Sequence, residues 1–141
     1  MAMERAQRFV DALTRLEESG ELESLLALFA EDAQVSNVAS SRVFTGLDGA
    51  RQFWTEYKGL LARVKSTFRN MIESGDRVAL EWETQGTAQN GAAVNYEGVS
   101  ILEWEGDRII RFYAYFDPGL LGREMAQGTA RRSEPPATTP A

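Results

Sequence analysis

Apolar positions near the start of the chain recur at helical spacing. Met3, Phe9, Val10, Leu13 and Leu16 form one stripe, and Ser19-Gly20 supplies a stop, which predicts a first helix ending there. Leu22, Leu25, Leu26 and Phe29 line one side of a predicted second helix. The period then changes to two. In Gln34-Val35-Ser36-Asn37-Val38, a strand over 35–38 puts Val35 and Asn37 on one face and Ser36 on the other. A polar Ser40-Ser41 loop leads to a short strand over 42–45. Asp48 is placed to cap a third helix whose apolar face is Phe53, Trp54, Tyr57, Leu60, Leu61 and Val64.

From Val64 to Asp117 the pattern reads as strands broken by Ser74-Gly75-Asp76, Asn90-Gly91 and Gly106-Asp107, which predicts an antiparallel meander. Alternation assigns Val78, Leu80, Trp82 and Thr84 to one face and Glu81 and Glu83 to the other. Tyr96, Gly98, Ser100, Leu102 and Trp104 oppose Asn95, Glu97, Val99, Ile101 and Glu103. Ile110, Phe112, Ala114 and Phe116 oppose Arg111, Tyr113, Tyr115 and Asp117. Asp117-Pro118 then offers a cap and a first-turn proline for a last short helix to about Met125. Residues 1–126 thus form one domain. The Gly, Thr, Ala, Ser and Pro of residues 127–141 predict a disordered tail. Helices first and strands afterwards make an α+β domain, with helices on one face of a curved antiparallel sheet.

Composition narrows the chemistry. A chain of 141 residues with 43% hydrophobic and 26% charged residues suits one soluble globular domain. A net charge of -6 argues against a nucleic-acid surface and an anionic membrane, both of which need clustered Lys and Arg. Cysteine and histidine are absent, which removes disulfides, thiol nucleophiles, the usual zinc sites and imidazole catalysis. Proton transfer would fall to Asp, Glu, Tyr, Lys or Arg, and no cofactor or metal is expected. The start, MAMERAQRF, is charged and has no apolar signal core, and no apolar run reaches membrane-spanning length, so a cytoplasmic location is the expectation.

The segments FVDAL, LALFAEDAQV and FTGLDGARQFW at the front, with ILEWEGDRIIRFYAYFDP at the end, resemble the nuclear transport factor 2-like superfamily, in its SnoaL-like branch. The resemblance covers roughly residues 5–125. It implies a cone in which helices pack on the concave face of a curved, mostly antiparallel sheet, with a pocket between them. It specifies function poorly, because relatives include isomerases, cyclases, epoxide hydrolases, dehydratases and binding proteins.

The enzyme branches imply particular residues, and this chain departs from each set. The Tyr-Asp-Asp pattern of ketosteroid isomerases falls on Phe9, Asn37 and Ser100, none of which can serve as its base or its strong acid. The Asp-Arg-Asp set of the limonene-epoxide-hydrolase type falls on Thr84, Trp82 and Ala114. Its helper Tyr and Asn fall on Val35 and Asn37, so only the Asn remains. SnoaL-type cyclases imply an Asp in the last strand and a supporting His. Asp117 follows the inward series by one place and is read as a helix cap, and there is no His.

Asn37 is read either as a hydrogen-bonder for a ligand carbonyl or hydroxyl, within reach of Trp82 or Ser100, or as a polar group satisfied by neighbouring backbone. Trp54, Tyr57 and Trp82 read as an aromatic wall or as plain core, with Trp82 favoured for the pocket. Thr84, Ser100 and Phe112 complete the candidate ligand-binding set, and no catalytic residue is assigned. On the outer face, Glu81, Glu83 and Glu97 are expected to pair with Arg111 and Lys65. Val99, Ile101, Tyr113 and Tyr115 leave that face too apolar for open water, which predicts a homodimer there. Three functions stay open: a binder of a small, largely apolar molecule; an isomerase- or cyclase-type enzyme on a polyketide- or steroid-like substrate; and a protein-interaction module using the outer sheet. A carboxylate inside the pocket would favour the second.

Overall fold

Turn glycines divide the second half of the chain into hairpins. Gly75 and Gly106 adopt φ of 60° and 61°, a left-handed conformation that side-chain-bearing residues rarely take. A computed structural model describes the backbone of residues 2–133 and the side chains of residues 4–127. Helix α1 spans Ala2–Ser19 and a single turn, α2, spans Glu23–Leu26. Strands β1 (Phe29–Asn37) and β2 (Phe44–Thr45) precede helix α3 (Gly46–Leu60). Four long strands follow: β3 (Leu61–Ser74), β4 (Arg77–Ala88), β5 (Ala93–Glu105) and β6 (Arg108–Phe116), and the chain ends in α4 (Pro118–Ser133).

The six strands form one curved sheet in the order β2-β1-β6-β5-β4-β3. Only β1 and β6 run parallel, which returns the last strand to the middle of the sheet. Its inner face carries the alternating set expected from the sequence: Val78, Leu80, Trp82, Thr84, Tyr96, Ser100, Leu102 and Trp104 are all buried. Helices α1 and α3 cover that face. Their apolar stripes supply Phe9, Leu13, Leu16, Phe53 and Trp54 to the same core. Together the elements make an α+β cone. At the β3–β4 and β5–β6 turns, Arg5 of α1 donates to the carbonyls of Gly106 (2.7 Å) and Gly75 (3.4 Å) and to Asp76 Oδ1 (3.1 Å), and stacks over Trp104. One side chain therefore ties the first helix to two hairpin turns. No helix among the described residues is long and apolar enough to cross a membrane.

Several boundaries differ from the expected ones. Phe29 lies in β1, not on the second helix, because the helix stops after one turn and its backbone extends directly into the sheet. β1 is correspondingly longer than 35–38, and Val38 falls outside it. The helix α3 starts at Gly46, with Thr45 at the cap position and no side-chain cap bond, so Asp48 sits in the first turn instead of capping it. Leu61 and Val64 belong to β3, not to α3, since Leu61 is already extended (φ -121°, ψ 144°). In β6 the buried residue is Ile109 and not Ile110, because the β5–β6 register shifts between Glu103 and Trp104.

On the outer face Arg69 of β3, not Arg111 or Lys65, gathers the glutamates. Its guanidinium lies 2.6 Å from Glu97, 3.4 Å from Glu81 and 4.0 Å from Glu83. Arg111 pairs with Glu103 at 3.2 Å. Asp117 does cap α4, accepting the Leu120 N–H at 3.1 Å. That helix continues to Ser133, beyond the expected stop near Met125 and into the predicted tail. The rest of the tail, 134–141, and the side chain of Met3 lie outside the described residues.

Candidate functional site

The space between α1, α3 and the concave sheet encloses a cavity of about 250 Å³. Its walls are built from strand parity and helix spacing. Trp82 and Thr84 project inward from β4, Tyr96 and Ser100 from β5, and Phe112 and Ala114 from β6. Trp54 and Tyr57, one helical turn apart, close it from α3. All the residues expected from the sequence thus line one cavity: Asn37, Trp54, Tyr57, Trp82, Thr84, Ser100 and Phe112. The exposed residues Ser40, Glu56 and Leu60 stand at its rim.

Their roles differ. Trp54 is 2% exposed and packs edge-on against Phe53, Tyr57 and Phe112, so its main task is core packing. Trp82 donates its indole N–H to Ser100 Oγ at 2.9 Å, which fixes the ring across the sheet beside Tyr96 and Phe116. The indole lies over Gly98. A Cβ there would come within 2.2 Å of the Tyr115 carbonyl oxygen and 2.8 Å of Trp82 Cζ2. Asn37 shares the cavity side with Val35, as parity requires, but its side-chain oxygen accepts the Ala39 N–H at 2.9 Å. It has no hydrogen bond to Trp82 or Ser100. The amide is spent on the loop that follows β1, the local arrangement Asn favours after a strand.

The structure adds a residue that was not anticipated. Glu17 of α1 is only 7% exposed. Its Oε1 accepts the Ser66 N–H at 2.8 Å, and its Oε2 accepts the Tyr57 hydroxyl at 2.6 Å and the Ser66 hydroxyl at 2.7 Å. The Ser66 hydroxyl in turn lies 2.7 Å from Thr84 Oγ1. The expectation of an inward set without an acid is therefore corrected. Glu17 stands four residues after Leu13 and seven after Val10, within the apolar stripe of its helix, and that spacing is the signal that could have found it. It sits behind Tyr57 and Ser66, which separate it from the cavity. Glu81 and Glu83 face outward as expected.

Burial, followed by the charge of Glu17, pushes the Tyr57 phenol well above its ordinary range. Burial, with a smaller push from Glu17, brings Tyr96 up to about 12. The folded state keeps the Tyr96 proton where the unfolded chain has lost it. The stability this represents is present below about pH 10 and is lost as pH rises to about 12, a change on the order of 2–3 kcal/mol. Urea unfolding at about pH 9 and about pH 11.5 should show a smaller loss in Tyr96→Phe than in the parent chain. Equal losses in both would remove Tyr96 as the cause.

Among the described residues, no three acidic side chains converge as metal ligands. The aromatic cavity under helices on a curved sheet is the nuclear transport factor 2-like architecture. The SnoaL-like domain family model matches residues 6–112, and the chain belongs to that family. No curated protein matches the chain. Among solved structures, a nuclear transport factor 2-like protein of unknown function from Burkholderia pseudomallei superposes with a TM-score of 0.78 at 22% identity, over 88% of this chain and 96% of that one. A Catenulispora acidiphila protein with a ketosteroid isomerase-like fold, crystallised with trimethylamine, gives 0.74 at 19% identity over 84% and 92%. A candidate isomerase from Bacillus subtilis gives 0.77 at 17% identity over 89% and 96%.

Proposed function

We propose that the protein binds a small, largely apolar molecule in the cavity between its helices and sheet. The observation that carries this reading is a cavity of about 250 Å³ walled by Phe9, Trp54, Trp82, Tyr96 and Phe112. It lies below the range of roughly 300–1,000 Å³ of drug-sized sites, which suits one or two rings better than a steroid skeleton. The polar groups on its walls are largely committed to one another, and both tyrosines hold their protons too tightly to act as acids near neutrality. A neighbour of the same fold was crystallised in complex with trimethylamine, which supports small-molecule binding as a reading for this chain.

The neutral bicyclic ketone 2-indanone is the direct probe, because Trp54 and Trp82 in the walls report its arrival by fluorescence. Saturable quenching is expected, together with at least a tenfold loss of affinity, roughly, in Ala114→Phe, which fills the cavity from β6. An unaltered affinity in that variant would refute the assignment. The alternative is an isomerase- or cyclase-type enzyme, and Glu17 is the observation that favours it. Turnover of a polyketide- or steroid-like substrate that disappears in Glu17→Gln would establish that alternative.

We further propose a homodimer through the outer face of the sheet. Val99, Ile101 and Tyr113 are half-buried there, Tyr115 is 45% exposed, and the Tyr113 and Tyr115 rings lie 4.7 Å apart. The Arg69–Glu97 and Arg111–Glu103 pairs flank this strip, the apolar centre and charged rim of a protein interface. A self-complementary contact of about 800 Å² per subunit would hold a dimer. Light scattering at micromolar concentration should give a dimer mass, and Ile101→Glu a folded monomer. A parent monomer, or a dimer indifferent to the substitution, would rule out this surface.

A further inference from the structure

The Glu17 network has a direction. Tyr57 and Ser66 each have one hydroxyl proton, and both protons point at Glu17 Oε2. Ser66 Oγ can therefore only accept at its 2.7 Å contact with Thr84, so Thr84 donates its proton to Ser66. Three hydroxyls on one cavity wall are thus spent on a single buried carboxyl group. What Tyr57 and Thr84 have left to offer the cavity is oxygen lone pairs. Ser100 accepts from Trp82. Glu17 has no ion-pair partner among the described residues. Three groups, the Ser66 N–H, the Ser66 hydroxyl and the Tyr57 hydroxyl, converge on its two oxygens. Beside Thr84 on the sheet, the rings of Trp82, Tyr96 and Phe116 stand together, with centroids 5.6–6.3 Å apart.

We infer that the small apolar ligand carries a protonated amine, seated against the Tyr57 and Thr84 oxygens in front of Glu17 and among the rings of Trp82 and Tyr96. This rests on the cavity being a binding site and names the chemical class it takes. Burying an ammonium in an apolar space is unfavourable unless charge and donors are both met. Here its N–H groups find acceptors, its charge finds the carboxylate one residue behind them, and aromatic faces complete the shell. A ligand carbonyl in the same place would oppose two sets of lone pairs. The net charge of -6 favours approach of a cation over an anion.

The test compares 2-aminoindane, a cation at neutral pH, with 2-indanone, its neutral counterpart of the same size, by calorimetry or tryptophan fluorescence. The amine should bind about tenfold tighter or more, and Glu17→Gln should bring the two within about threefold. Thr84→Val removes one acceptor beside Glu17, and it should weaken the amine more than the ketone. Should Glu17→Gln not fold, that variant and the parent comparison decide the matter. Equal affinities in the parent, a tighter ketone, a preference that survives Glu17→Gln, or equal weakening of both probes by Thr84→Val would overturn the amine assignment and leave the cavity as a binding site. If neither probe binds, both readings are overturned.

Discussion

Replacing Glu17 with alanine is expected to cost about 3–5 kcal/mol of stability. The substitution removes the acceptor from the Ser66 N–H, the Ser66 hydroxyl and the Tyr57 hydroxyl in one step. It leaves a main-chain donor buried without a partner and a gap where two methylenes and a carboxylate had packed. Those donors come from β3 and α3, so the loss is felt by three elements at once. Glu17→Gln keeps one oxygen for the Ser66 N–H and lets the two hydroxyls turn, so it should cost about 1–2 kcal/mol. Urea unfolding of the three chains gives the comparison. An alanine variant within about 1 kcal/mol of the parent would mean that water replaces the carboxylate freely, and Glu17 would then be incidental.

The second large effect is expected at Gly98. A methyl group there would meet the Tyr115 carbonyl oxygen at 2.2 Å and the Trp82 ring at 2.8–2.9 Å, and neither neighbour is the free end of a flexible side chain. Gly98→Ala should destabilise by about 2–3 kcal/mol and shift the tryptophan emission as Trp82 leaves Ser100. Gly59 is the control. It is helical, a Cβ there meets nothing within 4 Å, and alanine should be neutral or stabilise by up to about 1 kcal/mol. If the two variants melted together, the close approach over Gly98 would not be what holds the indole in place.

Strand parity carried most of the cavity in the sequence. Trp82 and Thr84 alternate with Glu81, Glu83 and Gln85, and a period of two leaves each strand only one way to face a core. The parity failed where the register slips: a shift between Glu103 and Trp104 turns Ile109 inward in place of Ile110. Asn37 was placed on the correct face, yet its bond to Ala39 depends on loop geometry that no period encodes. Glu17 was the larger omission. A glutamate near the end of an amphipathic helix ordinarily belongs to the solvated side, and what draws this one inward lies 40 and 49 residues further along the chain. Arg69 was passed over for a related reason. Its three glutamates come together only once β3, β4 and β5 are laid side by side.

The clasp that Arg5 makes with the Gly75 and Gly106 turns bears on the order of assembly. Those contacts span 70 and 101 residues, so they form only after both hairpins have closed. Helix α1 is thereby among the last elements to be seated. Because that helix carries Phe9 and Leu13 over the cavity and Glu17 behind it, the finished sheet waits as an open trough until the helix docks. Its later detachment as a unit would open the same trough without dismantling a single strand pair.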